Sequence, residues 1–183
     1  MPVSTSHAVA VFGASQITKG SAAWADAALC GRLLAGRGLT VVTGGYGGAM
    51  EAASEGAALV SGSVIGVTAP DVFPGRESAN AFVATERPAP SLTERIHDML
   101  AITDAAIALP GSIGTFTELM VAWNVSFVAQ YNGSTRPPIV AVGPTWKMLV
   151  AAVGDELATD ASLVTCVATV DEAVDHVVAG LPR

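Results

Sequence analysis

Short apolar runs alternate with segments of helical periodicity along the whole chain. β-branched and alanine-rich runs predict strands, and the segments between them carry apolar residues at the spacing of a helix face. The strands are expected at 8–12, 39–43, 63–68, 105–109, 138–142 and 163–168, and the helices at 21–35, 49–60, 91–103, 115–130, 145–153 and 170–179. This order predicts βαβ units in an open, doubly wound, Rossmann-like α/β sheet that is parallel and has helices on both faces. A length of 183 residues favours one domain, 1–183.

One long segment departs from this pattern. Residues 69–90 are rich in Pro, Gly, Ser and Asn, and only a short strand at 81–85 is expected within them. A loop of this length inside a compact domain is usually functional. Ser91 and Glu94 then have the spacing of a capping box, which predicts the start of the following helix.

Composition narrows the classes of partner. Nine basic residues against sixteen acidic ones give a net charge of −7, which argues against nucleic acid and anionic membranes as partners. No apolar run is long enough to span a membrane, and residues 1–6 have no basic region, so we expect a cytoplasmic protein. Cys30, Cys166 and the three histidines lack metal-ligand spacing, and we expect no metal site. An anionic ligand would therefore need a local positive site.

Three glycine-containing turns, at 13–15, 43–48 and 110–115, each follow a predicted strand. In a parallel sheet these turns share one edge, where ligands bind near the point at which strand order reverses. Glycine allows close backbone approach, and the amides at a helix N-terminus favour phosphate. The alternative is that the glycines only make tight turns. Taken together, the turns favour a phosphate site that includes Gly13, Ser15, Gly44, Gly45, Gly47, Gly48, Gly111, Ser112, Gly114 and Thr115.

The spacing of the glycines does not match the motifs of other nucleotide-binding proteins. The first turn is not G-x-G-x-x-G, and Met50 stands where the second turn would need its third glycine. Thr18 occupies the position of the glycine that precedes the lysine of a P-loop. A pyridoxal enzyme needs a Schiff-base lysine, and neither Lys19 nor Lys147 has a persuasive setting.

Glu118 lies just beyond the third turn. Thr115 and Glu118 have capping-box spacing, so the carboxylate is expected either to cap the helix or to act at the turn, and the two roles are compatible. A carboxylate would repel a phosphate, so the two must serve different ends of a ligand such as a sugar phosphate. Glycosidic cleavage passes through a cationic state that a carboxylate stabilises. These residues make N-glycosidic hydrolysis of a nucleotide a candidate reaction.

The motifs resemble those of the LOG family, the cytokinin riboside 5′-monophosphate phosphoribohydrolases. The resemblance rests on Thr-Gly-Gly-Tyr-Gly-Gly-Ala-Met at 43–50, on Arg95 with Met99, and on Pro-Gly-Ser-Ile-Gly-Thr-Phe-Thr-Glu at 110–118. It implies that Glu118 is the catalytic glutamate, that Arg95 works with it, and that Met50 belongs to the nucleotide-binding set. It also implies release of free base and ribose 5-phosphate without a metal or organic cofactor, in a homodimer or larger assembly.

Three departures from the family pattern bear on substrate choice. Ser112 replaces a glycine, Ile96 replaces a lysine, and Thr117 replaces an acidic residue. The second glycine turn also resembles that of the molybdenum-cofactor carrier proteins, which bind without hydrolysing. A nucleotide or cofactor carrier is therefore the alternative function, and the pairing of Arg95 with Glu118 favours the hydrolase. The helix over 116–131 is apolar nearly all round, which suggests packing against a second subunit.

Overall fold

The core of the fold is a seven-stranded parallel sheet with the strand order β4-β3-β2-β1-β5-β6-β7. The computed structural model describes residues 7–76 and 78–182, so the expectation about residues 1–6 lies outside the described part. The strands are β1 Ala8–Phe12, β2 Thr40–Thr43, β3 Val64–Thr68, β4 Thr85–Pro88, β5 Ala105–Ala108, β6 Ile139–Val142 and β7 Thr165–Val167. The helices are α1 Ala22–Gly36, α2 Ala49–Ala58, α3 Leu92–Ala101, α4 Ile113–Asn132, α5 Pro144–Glu156 and α6 Val170–Gly180, with a short 3-10 helix at Ala161–Leu163. The predicted doubly wound fold is confirmed.

Side chains on the strands alternate between two cores. Val9 and Val11 of β1 pack with α1, α2 and α6, whereas Ala10 and Phe12 pack with α3, α4 and α5 on the other face. This alternation follows from the two-residue period of a strand. Because both faces are covered, β1, β5 and β6 are apolar along their whole length, as parallel strands usually are.

Two glycines bring α1 and α2 into backbone contact. A Cβ on Gly31 would strike the carbonyl oxygen of Ala53, and a Cβ on Gly56 would strike that of Ala28. No larger residue fits at either crossing position. The start of α2, which carries the second glycine turn, is therefore positioned by direct contact with α1.

The strand expected at 81–85 is wrong by about four residues. The Asn80 carbonyl accepts the Val83 N–H (3.1 Å) and its side-chain oxygen accepts the Phe82 N–H (3.1 Å), so this segment turns. Val83 packs on the core beside Gly66. The edge strand β4 begins only at Thr85, which pairs with Ile65, and its side chains are exposed. The sequence pattern did not predict β4 at this position, because an edge strand that faces water needs no alternation of apolar and polar residues.

Helix starts follow the capping signals in part. The Ser91 hydroxyl accepts the Glu94 N–H (3.2 Å) at the start of α3, as its spacing predicts. Thr169 and Glu172 form a full capping box at the start of α6. Other boundaries differ from the predicted ones by one to three residues, which is ordinary for helix ends. Within the described residues, no helix is both long and apolar enough to cross a membrane.

Candidate active site

A cavity of about 220 Å³ opens where the strand order reverses, beside the carboxyl ends of β1 and β5. The Leu109 N–H donates to the Phe12 carbonyl (2.9 Å), which ties the first and third glycine turns together at this point. The cavity is lined by most of the residues expected from the sequence: Gly13, Ser15, Gly44, Met50, Arg95, Ser112, Gly114, Thr115 and Glu118. The departures Ile96 and Thr117 also line it.

Four expected glycines, Gly45, Gly47, Gly48 and Gly111, are not among the lining residues. Gly45 and Gly48 have φ values of +78° and +72°, which favour glycine. A Cβ on Gly48 would lie 2.5 Å from the backbone of Ser15, so this glycine joins the second turn to the first. These residues shape the turns and do not face the cavity.

Arg95 is buried, with 5% of its surface exposed, and is held by backbone carbonyls. Its Nε donates to the Val67 oxygen (2.7 Å) and its Nη2 to the Gly44 oxygen (2.9 Å). Nη2 also lies 3.6 Å from the Met50 sulfur. The side chain extends from α3 across the ends of β2 and β3, and these two hydrogen bonds fix the orientation of the guanidinium. Its Nη1 group has no partner among the described residues and is available to a ligand.

Gly44 makes room for this guanidinium. A Cβ at position 44 would strike the Arg95 Nη2 atom and lie 2.6 Å from the Met50 sulfur. The φ angle of Gly44 is not positive, so backbone conformation does not require glycine here. Glycine is required because any side chain would collide with the guanidinium. The second glycine turn therefore accommodates the arginine.

Glu118 is half-buried on α4. Burial raises the pKa of its carboxyl to about 7, and the nearby positive charge of Arg95 opposes this shift. In the described part of the chain, no Arg95 nitrogen lies within 4.0 Å of a Glu118 oxygen, so the two groups form no ion pair. Burial likewise lowers the pKa of Arg95. A carboxyl group that titrates near neutrality suits proton transfer at physiological pH.

The expected Thr115–Glu118 capping box is wrong. The N-cap residue of α4 is Ser112, three residues before the expected cap, and no described side chain caps the helix. Thr115 is only 2% exposed, and its hydroxyl is a buried polar group without a hydrogen-bond partner. An unmade buried hydrogen bond is costly. The uncapped first turn and this hydroxyl together offer several donors to an anion.

The long loop supplies residues that sequence reasoning missed. Phe73 and Arg76 line the cavity beside Tyr46, whose ring makes an edge contact with Phe73 at 5.7 Å between centroids. Asn80 anchors the loop, because its side-chain nitrogen donates to the carbonyls of Gly45 and Tyr46 (both 3.0 Å). The loop's length was the only signal in the sequence.

An apolar groove of about 460 Å³ adjoins the cavity between α3 and α4. Ile96 and Thr117, two of the departures from the family pattern, line both spaces. Leu100, Val121 and Val125 form much of the remaining groove surface. The region beside Arg95 and Glu118 therefore continues into an apolar space.

Comparison with known families agrees with this geometry. The family model described as the SLOG cluster4 family matches residues 6–129, more than half of the chain. The chain belongs to the SLOG cluster4 family. A cytokinin riboside 5′-monophosphate phosphoribohydrolase of Mycobacterium tuberculosis is 37% identical over 123 residues, which are 64% of this chain and 61% of that relative. The LOG-type resemblance seen in the motifs is confirmed, although the match spans under two thirds of the relative's length.

Solved structures share the fold of this SLOG chain. The molybdenum cofactor binding protein from Rippkaea orientalis has a TM-score of 0.74 and 19% identity, and the alignment covers 95% of this chain and 96% of that one. The molybdenum cofactor carrier protein from Chlamydomonas reinhardtii has a TM-score of 0.73 and 20% identity, covering 96% and 98%. At these identities the similarity establishes the architecture alone.

Proposed function

We propose that this SLOG protein is a phosphoribohydrolase that cleaves the N-glycosidic bond of a nucleoside 5′-monophosphate to free base and ribose 5-phosphate. The observation that supports it most is that Arg95 and Glu118 line one cavity without pairing, so both charges remain available to a ligand. The 37% identical phosphoribohydrolase relative supports the same reaction.

The phosphate end of the substrate would bind at the start of α4. The free amides of the first turn carry positive potential, and the Thr115 hydroxyl needs an acceptor that a phosphate oxygen supplies. Gly111 makes this possible, because a Cβ there would strike the Thr115 side chain. Phosphate binding would thus rely on backbone amides, which explains how a protein with a net charge of −7 can hold an anion.

The glycosidic end would lie against Glu118. As the bond from the anomeric carbon to the base nitrogen breaks, its electron pair leaves with the base and positive charge grows on the ribose. The ionised Glu118 stabilises that charge and accepts a proton from the attacking water, whose hydroxide bonds to the anomeric carbon. The same proton then passes to the departing base, so that one water is consumed and Glu118 is ionised again. Arg95, fixed by the Val67 and Gly44 carbonyls, orients the substrate through its free Nη1 group.

The base we favour is an adenine that carries an apolar N6 substituent, as in a cytokinin nucleotide. The apolar groove beyond Ile96 and Thr117 offers space for such a group next to the cavity. Burial of an isoprenoid chain there would favour the substituted nucleotide over the plain one by the hydrophobic effect. A nucleotide carrier without turnover is the competing function.

We further propose a homodimer formed through the outer face of α4. Ile113 and Val128 are 77% and 50% exposed, and Tyr131 continues the same apolar stripe. An exposed apolar stripe of this kind marks an interaction surface. A second copy of this chain presents the same stripe, which a two-fold axis would pair with itself.

The decisive experiment is chromatographic detection of free base after incubation with AMP and with isopentenyl-adenosine monophosphate. Wild-type protein is expected to release base, faster from the substituted nucleotide, and Glu118→Gln is expected to release none. Glu51→Gln is the matched control, since Glu51 is in the first turn of α2 and does not line the cavity. Binding of both nucleotides without base release from either would reject the hydrolase in favour of the carrier.

A further inference from the structure

Arg76 is a second arginine of the cavity that neither glycine turns nor family motifs indicate. It is half-buried on the loop between β3 and β4 and lines the cavity together with Arg95. The guanidinium carbon of Arg76 lies 5.5 Å from the Tyr46 ring centroid and 5.6 Å from that of Phe73. The guanidinium carbon of Arg95 lies at the same two distances from the same rings. Two cations therefore share one pair of aromatic rings.

This arrangement leaves positive charge without a partner in the described part of the chain. Among residues 7–76 and 78–182, the Arg76 guanidinium makes no hydrogen bond and has no carboxylate within 4.0 Å. Burial is the main cause of the lowered pKa of Arg95, and the positive charge of Arg76 adds to it, as expected for two nearby cations. The aromatic faces offset part of this cost, since a cation over a ring is attracted to it.

The charges of the cavity favour a doubly charged anion. Arg76 and Arg95 contribute two positive charges and Glu118 at most one negative charge. A phosphomonoester carries between one and two negative charges near neutral pH and has three strong acceptor oxygens. The α4 amides and Thr115 would satisfy only some of these acceptors. The planar guanidinium of Arg76, on another part of the cavity lining, suits the others, because arginine binds phosphate through two parallel N–H groups.

We propose that Arg76 binds the phosphate of the ligand and thereby makes the site select nucleotides over unphosphorylated nucleosides. This inference rests on the proposed function in taking a nucleoside 5′-monophosphate as the ligand. The loop between β3 and β4 would then take part in phosphate binding. Asn80 holds this loop against the second glycine turn by donating to the Gly45 and Tyr46 carbonyls. The glycine turns and the loop would then contact the phosphate from two directions.

The test is calorimetric titration of AMP, ribose 5-phosphate and adenosine into Glu118→Gln protein, in which turnover is blocked. Adding Arg76→Gln is expected to weaken AMP and ribose 5-phosphate by about tenfold or more and to leave adenosine unchanged. It should also reduce the dependence of AMP affinity on salt concentration. Arg76→Lys keeps the charge and should lose less affinity than Arg76→Gln. Arg87→Gln, an exposed arginine of β4 that does not line the cavity, is the matched control.

The outcomes separate this inference from the proposed reaction. Equal weakening of AMP and adenosine would overturn it, because Arg76 would then stack on the base. Unchanged affinities in Arg76→Gln would also overturn it, while base release by wild-type protein would leave the phosphoribohydrolase standing. Binding that depends on Arg76 in a protein that releases no base would support the inference and reject the hydrolase. Failure of both phosphorylated probes to bind would reject both.

Discussion

Arg95 and Glu118 face one cavity as opposite charges that do not pair. The guanidinium is held by the Val67 and Gly44 carbonyls, so its position does not depend on the carboxylate. Burial outweighs the attraction of Arg95 and sets the pKa of Glu118 at about 7. The carboxyl group is therefore balanced between its two protonation states at neutral pH, and this balance has measurable consequences.

The first consequence is a pH-dependent rate. If ionised Glu118 stabilises the cationic transition state, kcat/KM for base release should rise with pH and reach half its plateau near pH 7. Initial rates measured between about pH 5.5 and 8.5 would show this limb. A rate that is flat across this range would mean that Glu118 does not titrate in the catalytic step.

The same pKa affects stability with the opposite sign from an ordinary carboxylate. Its value in the unfolded chain is near 4.5 and in the folded chain about 7, so the folded state binds more protons between these values. Ionisation of Glu118 therefore leaves the free energy of unfolding unchanged below pH 4.5. It lowers the free energy of unfolding as pH rises from 4.5 through 7. The full shift corresponds to about 3 kcal/mol, which solvent screening of the half-buried carboxyl reduces. Glu118→Gln, which stays neutral, should therefore stabilise the protein by about 2 kcal/mol at pH 8 and by almost nothing at pH 4.

Urea denaturation of both proteins at these two pH values measures the difference. Glu51 does not line the cavity, so Glu51→Gln controls for the loss of one carboxylate elsewhere in the protein. Equal stabilisation by Glu118→Gln at both pH values would show that the gain has another origin.

The space beside Gly44 predicts a contrast within one turn. Gly44→Ala places a methyl group against the Arg95 guanidinium and the Met50 sulfur, so it should displace Arg95 and lower kcat/KM by about a hundredfold. In Gly47→Ala, the added carbon would have only the Glu51 carboxylate nearby, at 3.8 Å. Steady-state kinetics should therefore show near-normal activity for Gly47→Ala. Equal losses in the two variants would indicate a general disturbance of the turn.

A second glycine pair tests the phosphate site. Gly111→Ala would push against Thr115, whereas the added methyl group of Gly114→Ala meets no described atom within 4 Å beyond the backbone of its own helix. Gly111→Ala should weaken ribose 5-phosphate binding by about tenfold, the effect of losing one charge-assisted hydrogen bond. Calorimetry on Gly111→Ala and Gly114→Ala would show whether the loss is specific. Stronger weakening in Gly114→Ala would point to the first-turn backbone in place of Thr115.

The exposed stripe on α4 predicts the oligomeric state. Val128→Glu places a charge in the centre of the proposed dimer contact, and burying it there would be costly, so the variant should be monomeric. Light scattering after size exclusion measures the mass of each protein. Leu59→Glu, at an apolar position just after α2 that is 75% exposed against 50% for Val128, should leave the dimer intact. A monomeric wild-type protein would refute the interface.

Sequence patterns predicted the sheet well because its strands are buried on both faces and its turns carry glycine. Sequence patterns did not predict features that depend on contacts between residues far apart in the chain. Thr115 has the spacing of a cap, but α4 starts at Ile113, so Thr115 lies within the first turn and its hydroxyl is buried. Arg76 belongs to a loop without periodicity, and its place beside Tyr46 depends on how that loop folds back. Neither relationship is encoded in local spacing.

The backbone contact between α1 and α2 limits how this architecture can diversify in evolution. Gly31 and Gly56 line no part of the cavity, yet each faces a carbonyl oxygen so closely that any side chain would separate the helices. Separation would move the start of α2, and with it Met50. In a mutational library selected only for catalysis, positions 31 and 56 should therefore be as invariant as Glu118, although neither has any chemistry to perform.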